Sequence, residues 1–499
     1  MGTSKGNTNQ ISKLDFSEIK HYKTNIFAWS LYDLANTIYS MGVVSLTIAP
    51  LIILLTLSEN ANIDPSTLIS SEITLSRVQF EDGVELGGYY FAGVLLIGNL
   101  VMAFLSPLLG AYADQLSKRK YFLSLITIFC LIFTFSLGLK LNLTWVLITF
   151  FFANLTYQMS LVVYDSMLPF LAKPNEVSKA AGFGVAFGYF GSYIAIALSM
   201  YLAGNNNDYI LDEKNYIIKI GYIPSYFSIV AFAFLIFGIP LLLVKEVRPQ
   251  QEKIPFRETM KNTFASLKLT AHEVFQYKDT RNFMVGWLLF IDMANTVIAF
   301  MSIIITIGLG LPAEEVTLVL AIGITSAVLF TFPIGWIGDK IGPKKLFYLI
   351  GILWILSIIL TIFTNLTIGG VTTPKELAYL NGLVVGPALG GGWVAQRLMI
   401  TELSPEDRTS NYFGFTNIFG RISSAIGPYI WTGSIWLLNR KVGFDIGDAT
   451  RYTLIVLGIL LISGIYLISR VTDHHDKYLA GARHIGDGIW VDNQGNQID

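Results

Sequence analysis

The sequence predicts an all-α membrane protein of twelve transmembrane helices, arranged as two parallel repeats of six. Three observations predict it. The 499-residue chain is 53% apolar and only 14% charged, with a mean hydropathy of +0.56; an ordinary soluble domain carries about 25% charged residues. The apolar residues fall into twelve long, continuous runs. Short motifs recur, in the same order, at matching run boundaries in the two halves of the chain.

A bilayer span needs about 20 mostly apolar residues. The runs occupy roughly 26–57, 87–111, 121–139, 144–168, 180–203, 220–244, 282–309, 315–337, 346–365, 377–400, 410–438 and 452–470. They do not alternate, as barrel strands must. Helices are the other way to satisfy every backbone polar group in lipid. The first run is too long for the apolar core of a signal peptide and follows a polar stretch of 25 residues, so an uncleaved first helix is expected. At 32 residues it has to tilt or protrude. Residues 1–20 read as disordered.

Orientation follows from the basic residues. With the N-terminus inside, 24 of the 34 Lys and Arg residues fall in inside segments and 8 in outside loops. The positive-inside bias therefore places both termini in the cytoplasm, and the lack of targeting segments fits a bacterial inner membrane. The expected organisation is an N-terminal tail (1–25), a first half (26–244), a cytoplasmic linker (245–281), a second half (282–470) and a C-terminal tail (471–499). In the linker, Phe256, Met260, Phe264, Leu267 and Val274 recur at helical spacing. They predict an amphipathic helix lying on the membrane surface, with regulatory docking as the alternative. Residues 489–498 read as a small hairpin.

Several function classes drop out. Net charge is −1, which excludes a strongly basic nucleic-acid binder. The single cysteine, Cys130, lies inside an apolar run, so neither a disulfide framework nor a cysteine metal site is expected. All five histidines lie outside the runs, and His474-His475-Asp476 lacks a fourth metal ligand. There is no GxxxxGK[ST] phosphate loop. With no Ser–His, Cys–His or metal constellation in the spans, an enzyme is not expected, and neither is a cofactor.

The repeats point to a class that remains. Asp33-Leu34-Ala35-Asn36-Thr37 in the first span echoes Asp292-Met293-Ala294-Asn295-Thr296 in the seventh, at an offset of 259. The segment from Gly110 through Asp114 to Arg119-Lys120 follows the second span. It echoes Gly335, Asp339 and Lys344-Lys345 after the eighth, at an offset of 225. Pro174-Asn175-Glu176 echoes Pro405-Glu406-Asp407 at 231. Parallel six-helix repeats imply a transporter with its site between the halves.

The glycine–aspartate–basic segment, present in both halves, resembles the signature of the major facilitator superfamily across nearly the whole chain. The copies depart from the pattern at Gln115, Ser117 and Pro343, while Lys340 and Gly342 keep it. A narrower resemblance lies in Ala28-Trp29-Ser30-Leu31-Tyr32-Asp33-Leu34-Ala35-Asn36-Thr37-Ile38-Tyr39-Ser40. It is similar to the first helix of the vacuolar effluxer-like branch, related to fungal autophagy proteins that release amino acids. Gly182, Gly184, Gly188, Tyr189 and Gly191, and Gly391-Gly392 with Gln396-Arg397, resemble the same branch. The resemblance implies the major facilitator fold. It also implies a cytoplasmic gate in which Asp114 meets the start of the eleventh span (Thr409, Ser410) and Asp339 the start of the fifth (Ser178, Lys179). Gly110, Arg119, Gly335 and Lys344 belong to the same gate. A carboxylate at a helix N-terminus is stabilised by the dipole; the other reading is that these charges only enforce topology.

Polar groups inside spans are costly and mark function by default, at about 2.5–3.5 kcal/mol or more per charge. Asp33, Asn36, Thr37 and Ser40 share one stripe of the first span. Asp292, Asn295 and Thr296 repeat it. Asn154, Gln158 and Asp165 share a face of the fourth span, and Asn417, Arg421 and Ser424 a face of the eleventh. Asp165 and Arg397 occupy equivalent places in the halves with opposite charge. A salt bridge closing the inner side is predicted, with substrate contact or simple solvation as alternatives. Arg421 either holds a substrate anion through its bidentate fork or pairs with Asp292 or Asp33. Asp33 is the first candidate for proton coupling and Asp292 the second, since a carboxyl in a poorly solvated cavity can take up and release a proton. The alternatives for both are a permanent arginine partner or an architectural role. Tyr157 and Trp393 are the candidate aromatic pocket residues.

The expectation is a monomeric secondary transporter working by alternating access. It would move a small solute, an amino acid or similar zwitterion first among the candidates, and be driven by protons or another ion. A membrane sensor that binds ligand without transport is the competing class.

Overall fold

The structure, a computed structural model, describes residues 22–116, 118–168, 171, 177–204, 208–246, 255–405, 409–480, 482–486, 489–491 and 497–498. Residues 1–20, expected to be disordered, lie outside it. Among the described residues the N-terminal half contains six long helices. They are α1 (Tyr22–Tyr39, continued by a π-helical stretch Ser40–Thr47 and by Ile48–Asn60), α2 (Arg77–Gln115), α3 (Arg119–Ser136), α4 (Leu143–Met167), α5 (Val177–Ala203) and α6 (Ile223–Gly238, with a 3-10 turn Ile239–Leu243). The linker contains α7 (Phe256–Gln276). The second half repeats the plan. It has α8 (Lys278–Ile303, then π-helical Ile304–Gly308), α9 (Ala313–Ile341), α10 (Pro343–Phe363), α11 (Leu377–Leu403), α12 (Thr409–Leu437, then Leu438–Val442) and α13 (Ile446–Ser469). A short α14 (His475–Leu479) follows.

Ten of these helices are long and apolar enough to cross a membrane by composition alone. The other two spans are α5 and α12, of 27 and 29 residues. α12 holds Asn417, Arg421 and Ser423, which lower its hydropathy. The chain is thus a multi-pass, all-α membrane protein in which twelve spans bring both ends to one face, called here the terminal face. The opposite face is the far face.

Local chemistry sets the helix ends. Ser76 and Gln79 form a reciprocal capping box at the start of α2. The side chains of Asn142 and Asp445 cap α4 and α13. On the far face, β1 (Ile73–Thr74) pairs with β3 (Ile217–Lys219), which pairs antiparallel with β2 (Ile210–Asp212); Ile73 and Leu211 both register with Ile218. A second hairpin joins β4 (Thr367–Ile368) to β5 (Val371–Thr372). Beyond α14 the tail forms a small antiparallel sheet of β6 (Arg483–Gly486), β7 (Ile489–Val491) and β8 (Gln497–Ile498). The predicted terminal hairpin is present as β7–β8.

Within each half, the first helix packs on the fifth and sixth counterparts, and the core between them is aromatic. The halves meet chiefly where α2 runs along α12, with lesser seams between α5 and α9 and between α1 and α8. α7 crosses the terminal ends of α2, α8 and α12. Val274 is fully buried there, while Leu269 is 53% exposed, so this helix has one face on protein and one exposed face.

Candidate functional site

The Asp-x-Ala-Asn-Thr repeat does the same structural job twice. In the N-terminal half, Asp33 and Thr37 of α1 close over Gly188 of α5. A Cβ at Gly188 would lie 3.1 Å from Thr37 Oγ1 and 3.2 Å from Asp33 Oδ2. In the C-terminal half, Asp292 and Thr296 of α8 close over Gly427 of α12, where a Cβ would lie 2.0 Å from Thr296 Oγ1 and 2.6 Å from Asp292 Oδ1. Small residues let the helix backbones approach this closely. An interhelical clasp is therefore part of the motif's role in both halves.

The two clasps differ in their surroundings. Four residues before Gly427 stands Ser423, whose hydroxyl donates to Asp292 Oδ1 at 3.1 Å; three before stands Ser424, which accepts from Asn295 Nδ2 at 2.8 Å. Asp292 is 2% exposed. The corresponding positions before Gly188 are Gly184 and a valine, neither of which has a hydroxyl. Asp33 accordingly has no hydrogen-bond or ion-pair partner among the described residues and is half-exposed. Asn36 is buried at 1%, and neither of its amide atoms is hydrogen-bonded.

Arg421 of α12 is half-buried near the middle of its span and donates through Nη1 to Gln158 Oε1 of α4. This contact joins the halves at mid-depth. The expected alternative, a pair with Asp292 or Asp33, is not formed: no carboxylate lies within ion-pair distance of Arg421 among the described residues. Asp165 lies two turns along α4 from Gln158, on the same face, and is exposed. Arg397, near the terminal end of α11, is also exposed. The predicted Asp165–Arg397 bridge is not made in this structure, where the two side chains stand apart. Asn417 is exposed, one turn from Arg421 on the terminal side. Around this space the acidic groups, Asp33 and Asp165, come from one half and the basic groups, Arg397 and Arg421, from the other.

Aromatic pairs brace the walls. Trp29 of α1 stacks on Tyr164 of α4 at 4.5 Å, and Tyr39 stacks on Tyr157 at 4.6 Å. In the second half, Trp287 of α8 meets Trp393 of α11 edge-on at 5.6 Å. Tyr157 is half-buried and Trp393 is 40% exposed. Trp29, Tyr32, Tyr39 and Tyr164 are core.

The gate residues are held mostly by their own halves. Arg119 is 1% exposed and donates from Nε to the carbonyl of Ala113, 2.8 Å away, closing the end of α2. Lys120 donates to the carbonyls of Leu242 and Val244 at 2.7 and 2.8 Å, and its N–H to Glu246 at 3.0 Å. Lys344 does the same in the second half, donating to the carbonyl of Val471 at 2.7 Å, while Lys345 pairs with Asp473 at 3.8 Å. Each signature loop is thus strapped to the segment leaving the last helix of its half, a symmetry the sequence reading missed. A basic pair in each copy, Arg119-Lys120 and Lys344-Lys345, was its only visible signal. Asp339 is exposed, Gly110 has open space around it, and a Cβ on Gly335 would only touch Val394. The side chains of Asp114, Ser178, Lys179 and Ser410 lie outside the described residues, as do the facing contacts expected of Asp114 and Asp339.

Further contacts join the halves from mid-depth to the far face. Arg440 beyond α12 bonds Glu85 at 3.1 Å and also Asp82, both on α2. Ser302 Oγ of α8 donates to the carbonyl of Ser45 in α1, 2.5 Å away. Tyr193 of α5 bonds Thr325 of α9 at 2.7 Å, and Asn99 of α2 donates to the carbonyl of Ser424 at 3.1 Å. Among the described residues, no cluster of His, Cys, Asp or Glu is arranged to hold a metal ion.

Comparison with known proteins agrees with this architecture. A family profile described as Major Facilitator Superfamily matches residues 34–428 and 283–486. An uncharacterized protein of Aquifex aeolicus (strain VF5) is 24% identical over 75% of this chain and 85% of its own length. An uncharacterized MFS-type transporter, YxiO, of Bacillus subtilis (strain 168) is 22% identical over 89% of this chain and 95% of its own. Autophagy-related protein 22 of Yarrowia lipolytica (strain CLIB 122 / E 150) is 26% identical over 52% of this chain and 46% of its own. Among solved structures, a mutant of the nucleoside transporter NupG superposes with a TM-score of 0.66 at 12% identity, covering 90% of this chain and 100% of that one. A D-xylose-proton symporter gives 0.65 at 14%, covering 91% and 99%.

Proposed function

The chain belongs to the major facilitator superfamily of membrane transporters, and from that membership we propose that its central cavity carries a small zwitterion, an amino acid first among them, by proton-coupled alternating access. One observation carries the substrate reading. Arg421 is a guanidinium near mid-membrane whose neighbour across the halves is a neutral amide, Gln158, and not a carboxylate. Removing a charge from water without a counter-charge is costly. A carboxylate delivered by the substrate supplies that counter-charge with fork geometry. The substrate's ammonium then faces Asp33 and Asp165 on the other wall, so the cavity's separated charges orient a zwitterion across the seam between the halves.

Proton coupling is assigned to Asp33. It is the clasp carboxylate with no donor and with access to the cavity, whereas Asp292 is buried under Ser423. When substrate bridges the two walls it favours the state in which both walls are close, which is the differential interaction alternating access requires. Asp165 and Arg397, apart here, are then the pair that meets when the terminal side closes. The basic bias of the terminal-face loops puts that face in the cytoplasm, and a bacterial inner membrane suits the sequence. The arrangement is then cytoplasm-open. The match to Autophagy-related protein 22 fits the vacuolar effluxer-like branch, from whose resemblance the substrate class is taken.

The test is flux into proteoliposomes of purified protein. A labelled amino-acid mixture is presented under an imposed pH gradient, beside a nucleoside and a sugar. Amino-acid accumulation that collapses with the gradient supports the reading. Accumulation of another solute, with no amino acid moved, overturns the substrate.

A further inference from the structure

The tail after α13 is docked on the second signature loop, and one histidine pins it there. His475 is 5% exposed, and its ring covers Gly342. A Cβ at that glycine would lie 2.7 Å from the ring's Cγ, and its φ of +85° favours glycine in any case. Nδ1 of His475 lies 2.7 Å from Glu402 Oε1 at the end of α11, and Nε2 lies 3.3 Å from the carbonyl oxygen of Asp339. Beside it, His474 reaches Asp279 of α8 at 3.4 Å and stacks on Trp490. With Lys344 on the carbonyl of Val471 and Lys345 near Asp473, the tail touches the terminal ends of α8, α9, α10 and α11.

With the Glu402 carboxyl ionised, both partners of the His475 ring are acceptors. A neutral imidazole has one N–H and one bare nitrogen, so it satisfies only one of them; the cationic ring donates to both. The charged groups around the ring are Glu402 on α11, Asp339 on α9 and Lys344 and Lys345 on α10. The tail itself contributes Asp473, which accepts the His475 N–H at 3.3 Å, together with His474 and Asp476. Glu402 is the carboxylate in direct contact. The strap on the first signature loop, built from Leu242, Val244 and Glu246, contains no histidine.

We propose that His475 is a positioning residue for the Asp339 loop and that the tail is a charge-set strap. The grip is tight when the ring carries both protons and donates to Glu402 and to the Asp339 carbonyl, and loosens when it carries one. Loosening frees the loop that carries Asp339, so the rate at which the halves exchange faces depends on pH at this face. That last step rests on the transporter reading; the strap does not.

The experiment is hydrogen exchange on the full-length protein in a lipid nanodisc, corrected for intrinsic pH dependence and read over residues 339–345 and 471–480. The wild type is expected to lose protection about tenfold from pH 5.5 to 8, the scale of one charge-assisted hydrogen bond. His475→Gln is expected to show no such step. Glu402→Gln keeps the ring against Gly342 and serves if the first variant does not fold; its step should shrink. Protection that is flat in the wild type, or an unchanged step in both variants, overturns the strap. A step in exchange with pH-independent flux leaves the strap and removes its link to transport.

Discussion

Asp33 and Asp292 sit in nearly identical pentapeptides, yet the structure gives them different surroundings. What separates them is on other helices: Ser423 and Ser424 on α12, against Gly184 and a valine on α5. A reading along the chain ranks Asp33 before Asp292 without seeing what separates them, because the deciding hydroxyls are more than 120 residues away. For the same reason the partner of Arg421, Gln158, was legible only as a residue on a polar face. Ser423→Ala should lower the melting temperature, since the lost bond to Asp292 is worth about 1 kcal/mol, while Asp33→Asn should leave it unchanged; thermal denaturation in detergent reads both. Arg421→Lys keeps the charge and loses the planar fork. It should slow uptake by at least about tenfold with folding intact, as initial rates in proteoliposomes will show.

At the scale of elements, the spans were legible because lipid demands long apolar runs, and the ends were not. The run at 87–111 becomes α2, Arg77–Gln115. Its first turns carry Glu81, Asp82 and Glu85, which hydropathy reads as loop, although Ser76 with Gln79 was a visible start signal. The π-helical stretches in α1 and α8 left no mark in the composition. Of the clasp glycines, Gly188 was visible only through the resemblance of its segment to a known branch, and Gly427 on α12 was not singled out. Gly427→Ala forces a methyl to within 2.0 Å of Thr296 Oγ1, so α8 and α12 must separate. Overpacking of this kind costs about 1–3 kcal/mol. Gly188→Ala, at 3.1 Å from its nearest neighbour, should cost less, and the order of the two melting temperatures checks the geometry.

At the scale of the molecule, the repeat offsets announced two halves, but nothing in the sequence says which face is shut. That depends on contacts such as Arg440 with Glu85 and Asp82, which no short motif reports. The far-face hairpin adds a titratable contact: a Cβ on Gly447 at the start of α13 would lie 3.1 Å from Glu213 Oε2. Burial, with the Asp445 and Asp448 carboxylates nearby, pushes the Glu213 carboxyl up from 4.5 to about 7. A carboxyl raised in this way prefers its proton where it is packed. The hairpin contact is therefore strongest below about pH 4.5 and is lost as pH rises through about 7. Spin labels at Asn215→Cys and Lys441→Cys should move apart over that window, and Glu213→Gln should hold them together throughout.

The proposed coupling of substrate movement to a proton through Asp33 separates two modes of flux in the Asp33→Asn variant. Counterflow exchange of labelled against unlabelled amino acid needs no net proton movement. Accumulation against a gradient does. Under the proposed coupling the variant keeps exchange near the wild-type rate and loses accumulation under an imposed pH gradient. Undiminished accumulation by Asp33→Asn would contradict it.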